Sequence, residues 1–194
     1  KESLKKNLGM ARAGKKSFFQ LMHRLADGPL RNVAVYSSPV EVNGKPMLNT
    51  IIHDVTERIK GEEDLARERM LLRTVMDHIP ATIYVKDHKL RKIMVNQQKL
   101  DVLGKKEEEV IGKTDWDLYP PDMAVRFEKD DLEVLEHGRE IVNREEHFTG
   151  PDGKQIWLLT SKSPFTDSRG RIIGLVGIGR DVTDRVSAAK ELSA

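Results

Sequence analysis

The chain has 194 residues, 38% of them hydrophobic and 33% charged, with 33 Lys plus Arg against 31 Asp plus Glu. That leaves room for one large or two small domains with a modest core, and the near-balanced charge gives no argument for a nucleic-acid partner. The chain has no cysteine, which excludes a disulfide framework, a thiolate nucleophile and a Cys-ligated metal and suits a reducing cytoplasm. No apolar run approaches the roughly 18 residues a membrane helix needs, so this stretch is expected to make no membrane contact.

In chain order, residues 1 to about 20 read as helix at first and break at Gly14. Two strands follow the Asp27-Gly28 turn, Val33 to Ser38 and Met47 to Asp54. Glu57 to His78 reads as a helix with a narrow apolar stripe, Leu65, Leu72 and Ile79 recurring every seven residues. Such a stripe either pairs with a copy of itself or lies on its own domain. Ile79-Pro80 stops it. Thr82 to Lys86 and Arg91 to Val95 form a hairpin around Asp87-His88, and Asn96 to Gly104 is a short helix closed by its glycine. A turn at Glu107 to Ile111 leads to a helix from Asp122 to Glu136, with Pro121 in its first turn and His137-Gly138 at its end. Three strands close the unit: Ile141 to Phe148, Gln155 to Ser163 and Ile172 to Arg180. This order predicts an α+β fold, an antiparallel sheet with helices on one face.

The chain also repeats itself. Asp54-Val55-Thr56-Glu57-Arg58 matches Asp181-Val182-Thr183-Asp184-Arg185 almost residue for residue. Upstream, Pro39 follows Asp27 by twelve residues and Pro164 follows Asp152 by the same twelve. From each proline to the repeated Asp the distance is fifteen residues in one copy and seventeen in the other, so the mismatch sits in the glycine turn and the strand beyond it. An ordered set of matches this long points to duplicated domains rather than a solenoid. Only 26 residues precede the Asp27-Gly28 turn, against roughly 70 between the linking helix and Asp152-Gly153. The first copy therefore reads as the C-terminal part of a domain, with an exposed sheet edge and an uncovered face that seek a partner.

The helix bearing Asn96 and Leu103-Gly104, then Val110-Ile111-Gly112, the Asp152-Gly153 hairpin and the closing Asp181-Val182-Thr183 together resemble a PAS domain of the bacterial sensory type. The resemblance implies a PAS fold, a five-stranded antiparallel sheet enclosing a small pocket. It divides the chain into the C-terminal part of a first PAS domain (1–56), a connecting amphipathic helix (57–79), a complete PAS domain (80–186) and the start of an output helix (187–194). It further implies a sensory input module of a histidine kinase or cyclase with an output domain in cis, binding a small ligand or relaying a conformational signal. A ligand-free dimerisation and relay module is the alternative. Self-association is expected through the 57–78 helix and the truncated first sheet. Asp54, Thr56, Asp181 and Thr183 are the expected relay residues, since Asp and Thr oxygens also serve the orphan N–H groups of a helix start.

The residues limit the chemistry. A flavin adduct needs a cysteine, which the chain lacks. Haem-binding PAS domains commonly carry a histidine about eleven residues before the Gly closing the long helix, and Phe127 stands there. The cofactor is left unknown. No catalytic constellation or metal cluster stands out: the six histidines are scattered, and His147 reads as structural. Core or pocket lining is expected from Ile83, Val95, Leu100 and Leu103, then Trp116, Tyr119, Phe127 and Leu135, and in the closing strands Trp157, Leu159 and Ile178. Asn96, Thr114, Asp115 and Arg144 are the polar groups expected to orient a ligand there. Asp115 and Asp117 read more readily as caps of the segment leading to the long helix. Strand alternation alone leaves open which of these residues face inward.

Overall fold

The computed structural model describes residues 7, 9–14, 17–24, 28–150 and 153–191. The turn residues Asp27 and Asp152 lie outside them. The chain forms two compact units, the first ending at Met70 and the second beginning at Leu71.

In the first unit β1 (Phe18–Arg24), β2 (Leu30–Val42) and β3 (Lys45–Asp54) form an antiparallel sheet in that order. Asn43 and Gly44 join β2 to β3, both at positive φ (51° and 73°), the left-handed pair a tight hairpin turn requires. Phe19, Val33 and Val35 make its small core, with Leu21 against them. β3 remains open: Met47, Ile51 and Ile52 are each more than half exposed, and among the described residues no strand pairs with its second edge. Helix α1 (Thr56–His78) begins after it and buries none of its residues; Leu65 and Leu72 are about half exposed.

The second unit holds β4 (Thr82–Asp87), β5 (Lys92–Val95), β6 (Ile141–Thr149), β7 (Gln155–Thr166) and β8 (Ile172–Asp181). They form one antiparallel sheet, ordered β5-β4-β8-β7-β6. Helices α2 (Gln97–Leu103), α3 (Glu107–Val110), α4 (Asp115–Leu118) and α5 (Pro121–His137) lie between β5 and β6 in the chain. Helix α6 (Thr183–Glu191) follows β8. Pro121 opens α5 with its φ already helical, and Gly104 and Gly138 close α2 and α5 at positive φ. The core joins sheet to helices through Tyr84, Val95, Leu100, Val110, Val134, Ile141 and Leu175, with Leu103, Leu118 and Leu135 packed on it.

The register fixes the faces. Tyr84 pairs with Gly177, Thr82 and Thr160 with Gly179, and Lys162 with Gly177, so these residues share the helix-covered face. Tyr84 lies across Gly177, where an added Cβ would stand 2.1 Å from the ring carbon Cζ. Only glycine allows that approach. Gly177→Ala is expected to displace Tyr84 and destabilise this unit by about 1–3 kcal/mol, the cost of an overpacked core. Both tryptophans of the chain lie in this unit, so thermal unfolding followed by their fluorescence reads the effect; an unchanged midpoint would contradict the packing described.

Candidate functional site

The covered face of the second sheet carries charge where a core normally carries hydrocarbon. Lys86 of β4, Lys92 of β5 and Lys162 of β7 are each 1% exposed, Lys99 of α2 is 5% exposed, and Asp115 and Asp131 are buried with them. Lys86 donates to Asp115 and Asp131, Lys92 donates to Asp115, and Lys162 donates to Asp131 Oδ1 at 2.8 Å. Buried ammonium and carboxylate groups are tolerable only when paired in this way. Burial pulls Lys86 down, but Asp131 and Asp115 outweigh it and hold the group above its ordinary value. One carboxylate shared by two ammoniums cannot fully serve both, and Lys92 is pulled down to about 7 by burial and by Lys86 beside it. Burial would raise Asp115; Lys86 and Lys92 overcome it and hold the carboxyl well below the usual range.

Beside this network lies a cavity of about 20 Å³, walled by Thr82, Tyr84, Lys86, Lys92, Lys99, Asp115, Tyr119, Phe127, Glu146, Leu158 and Thr160. As it stands it holds a water-sized group. Lys99 Nζ sits over the rings of Tyr84 and Tyr119, 5.2 and 5.6 Å from their centroids, a cation–π arrangement. It has no hydrogen-bond or carboxylate partner among the described residues. Burial lowers it to about 8, against the opposing pull of Asp115 and Glu146. Glu146 accepts from Thr160 through Oε2, while its buried Oε1 has no hydrogen bond and stands 3.9 Å from Lys162 Nζ. Phe127 and Glu146 also wall an outer groove of about 480 Å³ between α5 and β6.

The expected pocket residues divide. Tyr119 and Phe127 line the cavity, while Val95, Leu100, Leu103 and Leu135 pack in the adjoining core. The closing strands correct the reading by one residue: Leu158 is buried on the covered face, whereas Trp157, Leu159 and Ile178 lie on the opposite face. Ile83 is buried on that opposite face too, paired with Ile178. Trp157 stacks on the exposed His147 with centroids 4.6 Å apart, and with Leu159 it lines a groove beside α6. Trp116 is 49% exposed, because α4 turns Asp115 inward instead. Arg144 is exposed at the rim of the outer groove, paired with Asp130. Thr114 caps α4 in a reciprocal box with Asp117, so Asp117 does the capping and Asp115 the buried pairing.

Asn96 is a correction of another kind. Its side chain makes four hydrogen bonds and has none to spare for a ligand. Oδ1 accepts from Ile83 N (2.8 Å) and Lys99 N (3.1 Å); Nδ2 donates to Met76 O (3.0 Å) and Ala81 O (2.8 Å). It ties the last turns of α1 to β4 and to the helix that carries Lys99. Arg73 and Asp77 add to that tie: Arg73 donates to Val95 O (3.1 Å) and Glu107 Oε1 (2.8 Å), and Asp77 accepts from Gln97 N (2.8 Å).

The two Asp-x-Thr motifs have one geometry. Thr56 N donates to Asp54 Oδ1 at 2.9 Å and Thr183 N to Asp181 Oδ1 at 2.8 Å. Each threonine hydroxyl then accepts from a neighbouring strand, Thr56 from Asn32 N (2.9 Å) and Thr183 from Trp157 N (3.0 Å).

The family model described as PAS fold matches residues 76–187, and the chain belongs to that family. Among curated proteins it is similar to the methanogenesis regulatory histidine kinase FilI of Methanothrix harundinacea, 28% identical over 159 residues, 80% of this chain and 18% of that protein. Among solved structures it is similar to a ligand–DNA complex of VqmA from Vibrio cholerae (26% identity, TM-score 0.54, 64% of this chain and 57% of that one). It is also similar to the PAS domain of BvgS from Bordetella pertussis (25% identity, TM-score 0.51, 66% and 95%). The chain spans less than a fifth of the length of the curated relatives it matches first. Among the described residues no helix is long and apolar enough to cross a membrane, and no His, Asp and Glu group is placed to hold a metal.

Asp115 ties the network to pH. Its carboxyl titrates near 3.9 in an unfolded chain and lower when folded. The stability it contributes is therefore complete above about pH 5 and is lost as pH falls through about 4 and below. Asp115→Asn strands the ammoniums it serves, at an expected cost of about 3–5 kcal/mol at pH 7, and flattens that acid limb. Urea unfolding between pH 7 and 3 measures both; an Asn variant with unchanged stability and acid limb would contradict the pairing.

Proposed function

We propose that residues 80–186 are the sensory input module of a signal-transduction protein, a histidine kinase or cyclase, and that they bind a small ligand at the cavity beside Lys99. Residues up to 56 are then the C-terminal part of a first PAS domain, α1 is the connecting helix, and the residues after 186 begin the output helix. One observation carries the reading. Lys99 of the cavity wall and Met76 in the last turn of α1 are joined through a single side chain, Asn96. A ligand bonded to Lys99 acts on the helix that Asn96 caps, and a shift of that helix reaches the end of α1. The second exit is the Asp181–Thr183 cap, where Thr183 bonds β7 beside the cavity-lining Leu158. A ligand signals only if it binds two such arrangements with different affinity. FilI is a regulatory histidine kinase, and the VqmA complex contains a ligand; both support the same reading.

A ligand-free dimerisation and relay module is favoured by the exposure of α1, whose residues are all unburied, and by a cavity closed down to about the size of a water. Native mass spectrometry of the purified chain, before and after denaturation, separates the two. The sensor reading expects excess mass that denaturation releases; a dimer of bare chains that also takes up no small molecule from a metabolite mixture would favour the relay.

A further inference from the structure

Of the four buried lysines, two are firmly paired and two are not. Lys86 donates to both Asp115 and Asp131, and Lys162 donates to Asp131 with Glu146 Oε1 3.9 Å away. Lys92 has Asp115 alone, which Lys86 already uses, and Lys99 bonds to no carboxylate among the described residues. These two stand against the same pair of rings. Lys92 Nζ lies 5.7 and 5.6 Å from the Tyr84 and Tyr119 centroids, and Lys99 Nζ lies 5.2 and 5.6 Å from them. Burial and a neighbouring cation both favour the neutral amine. For Lys92 burial is the larger cause, and Lys86 and Lys99 add to it against Asp115; the group comes down to about 7. For Lys99 burial and Lys86 work against Asp115, Glu146 and Asp131, and the group comes down to about 8. Both tyrosines stay protonated there, since burial and the same carboxylates push them upward.

We propose that this pair makes the second unit responsive to pH, with the proton as stimulus and residues 112–115 as the segment that answers. The proposal goes beyond the sensory reading and needs no small molecule in the cavity. Lys92 holds that segment at three points. Its N–H donates to Lys113 O (2.9 Å), its C=O accepts from Gly112 N (2.8 Å), and its side chain donates to Asp115, the first residue of α4. When Lys92 is charged, an ion pair ties β5 to the start of α4, under repulsion from Lys86 and Lys99. When it is neutral, the repulsion ends and the bond to Asp115 keeps only one charged end, which weakens it. In an unfolded chain both lysines keep their protons to about pH 10.4. Between about pH 7 and 10 the unfolded state therefore binds more protons, and stability rises with pH. The cost of burying the two charges is whole below about pH 7 and is relieved stepwise above it.

The test begins with the unmodified chain. Carbon-13 shifts of the lysine ε-methylenes, followed from pH 6 upward, should show two lysines titrating below about pH 9 while the others titrate near 10.4. Lys92→Met and Lys99→Met, which keep an unbranched apolar stem, should each remove one of those two titrations. Urea unfolding between pH 7 and 9 should show the folding constant rising by up to about tenfold per pH unit for each lysine, and rising less in either variant. Trp116, beside Asp115, reports on the start of α4. Its fluorescence is read in Trp157→Phe, which removes the tryptophan stacked on His147. It should change over the same pH interval and lose that change when Lys92→Met is added. Every lysine of the unmodified chain titrating above about pH 10 overturns the proposal, and needs no variant to be read. A Trp116 signal that follows pH equally with and without Lys92 overturns it as well.

Discussion

The second unit depends on how one buried aspartate is shared. Asp115 is 5% exposed and serves Lys86 and Lys92 at once, and Lys86 in turn reaches Asp131, which serves Lys162. These groups come from β4, β5, β7, α4 and α5, so the network fastens α4 and α5 to three strands of the sheet. Interiors sealed by hydrocarbon are cheaper to build. A charged interior leaves the protein sensitive to one more or one fewer charge, and that sensitivity is useful to a module whose task is to respond.

Coupling follows from what the network leaves out. Lys99 stands over two aromatic faces at the cavity wall, within the pull of Asp115 and Glu146 but hydrogen-bonded to neither, and it rides on a helix whose cap, Asn96, spends all its hydrogen-bonding capacity on four backbone groups. A side chain so fully used is a rigid joint. Displacing α2 means moving Ile83 N–H, Ala81 C=O and the Met76 C=O with it, or losing bonds worth about 1 kcal/mol each in a buried setting. The far end of the domain repeats the principle with other residues: the Thr183 hydroxyl holds β7 while Asp181 holds the first turn of α6.

Much of this was legible in the sequence. The order of strands and helices, the glycine closures at Gly104 and Gly138, and the duplicated Asp-x-Thr cap all come from local signals, and local signals survive folding. The family resemblance read from those residues matches the family to which the chain belongs. The cavity was harder. An apolar run such as Ile156 to Leu159 does not announce its inward residues, so Leu159 was expected where Leu158 is found, and Trp157 and Ile178 fell on the wrong face. The lysines were missed because lysine ordinarily marks solvent. The available signal was their placement, with Lys86 in step with Thr82 and Tyr84 and Lys162 in step with Leu158 and Thr160, each at the period-two positions that a covered face requires. From sequence Asn96 reads as a polar group for a ligand, since nothing local to it shows that Met76 comes within reach.

On the proposed reading, the charge state of the cavity is felt at the end of α1 through Asn96. Hydrogen–deuterium exchange of the Lys99→Met chain against the natural one tests it without any knowledge of the ligand. Altered protection is expected in the last turn of α1, residues 73–78, as well as in the cavity-lining strands and α2. Changes confined to the cavity-lining strands and α2, with residues 73–78 exchanging as before, would overturn the coupling.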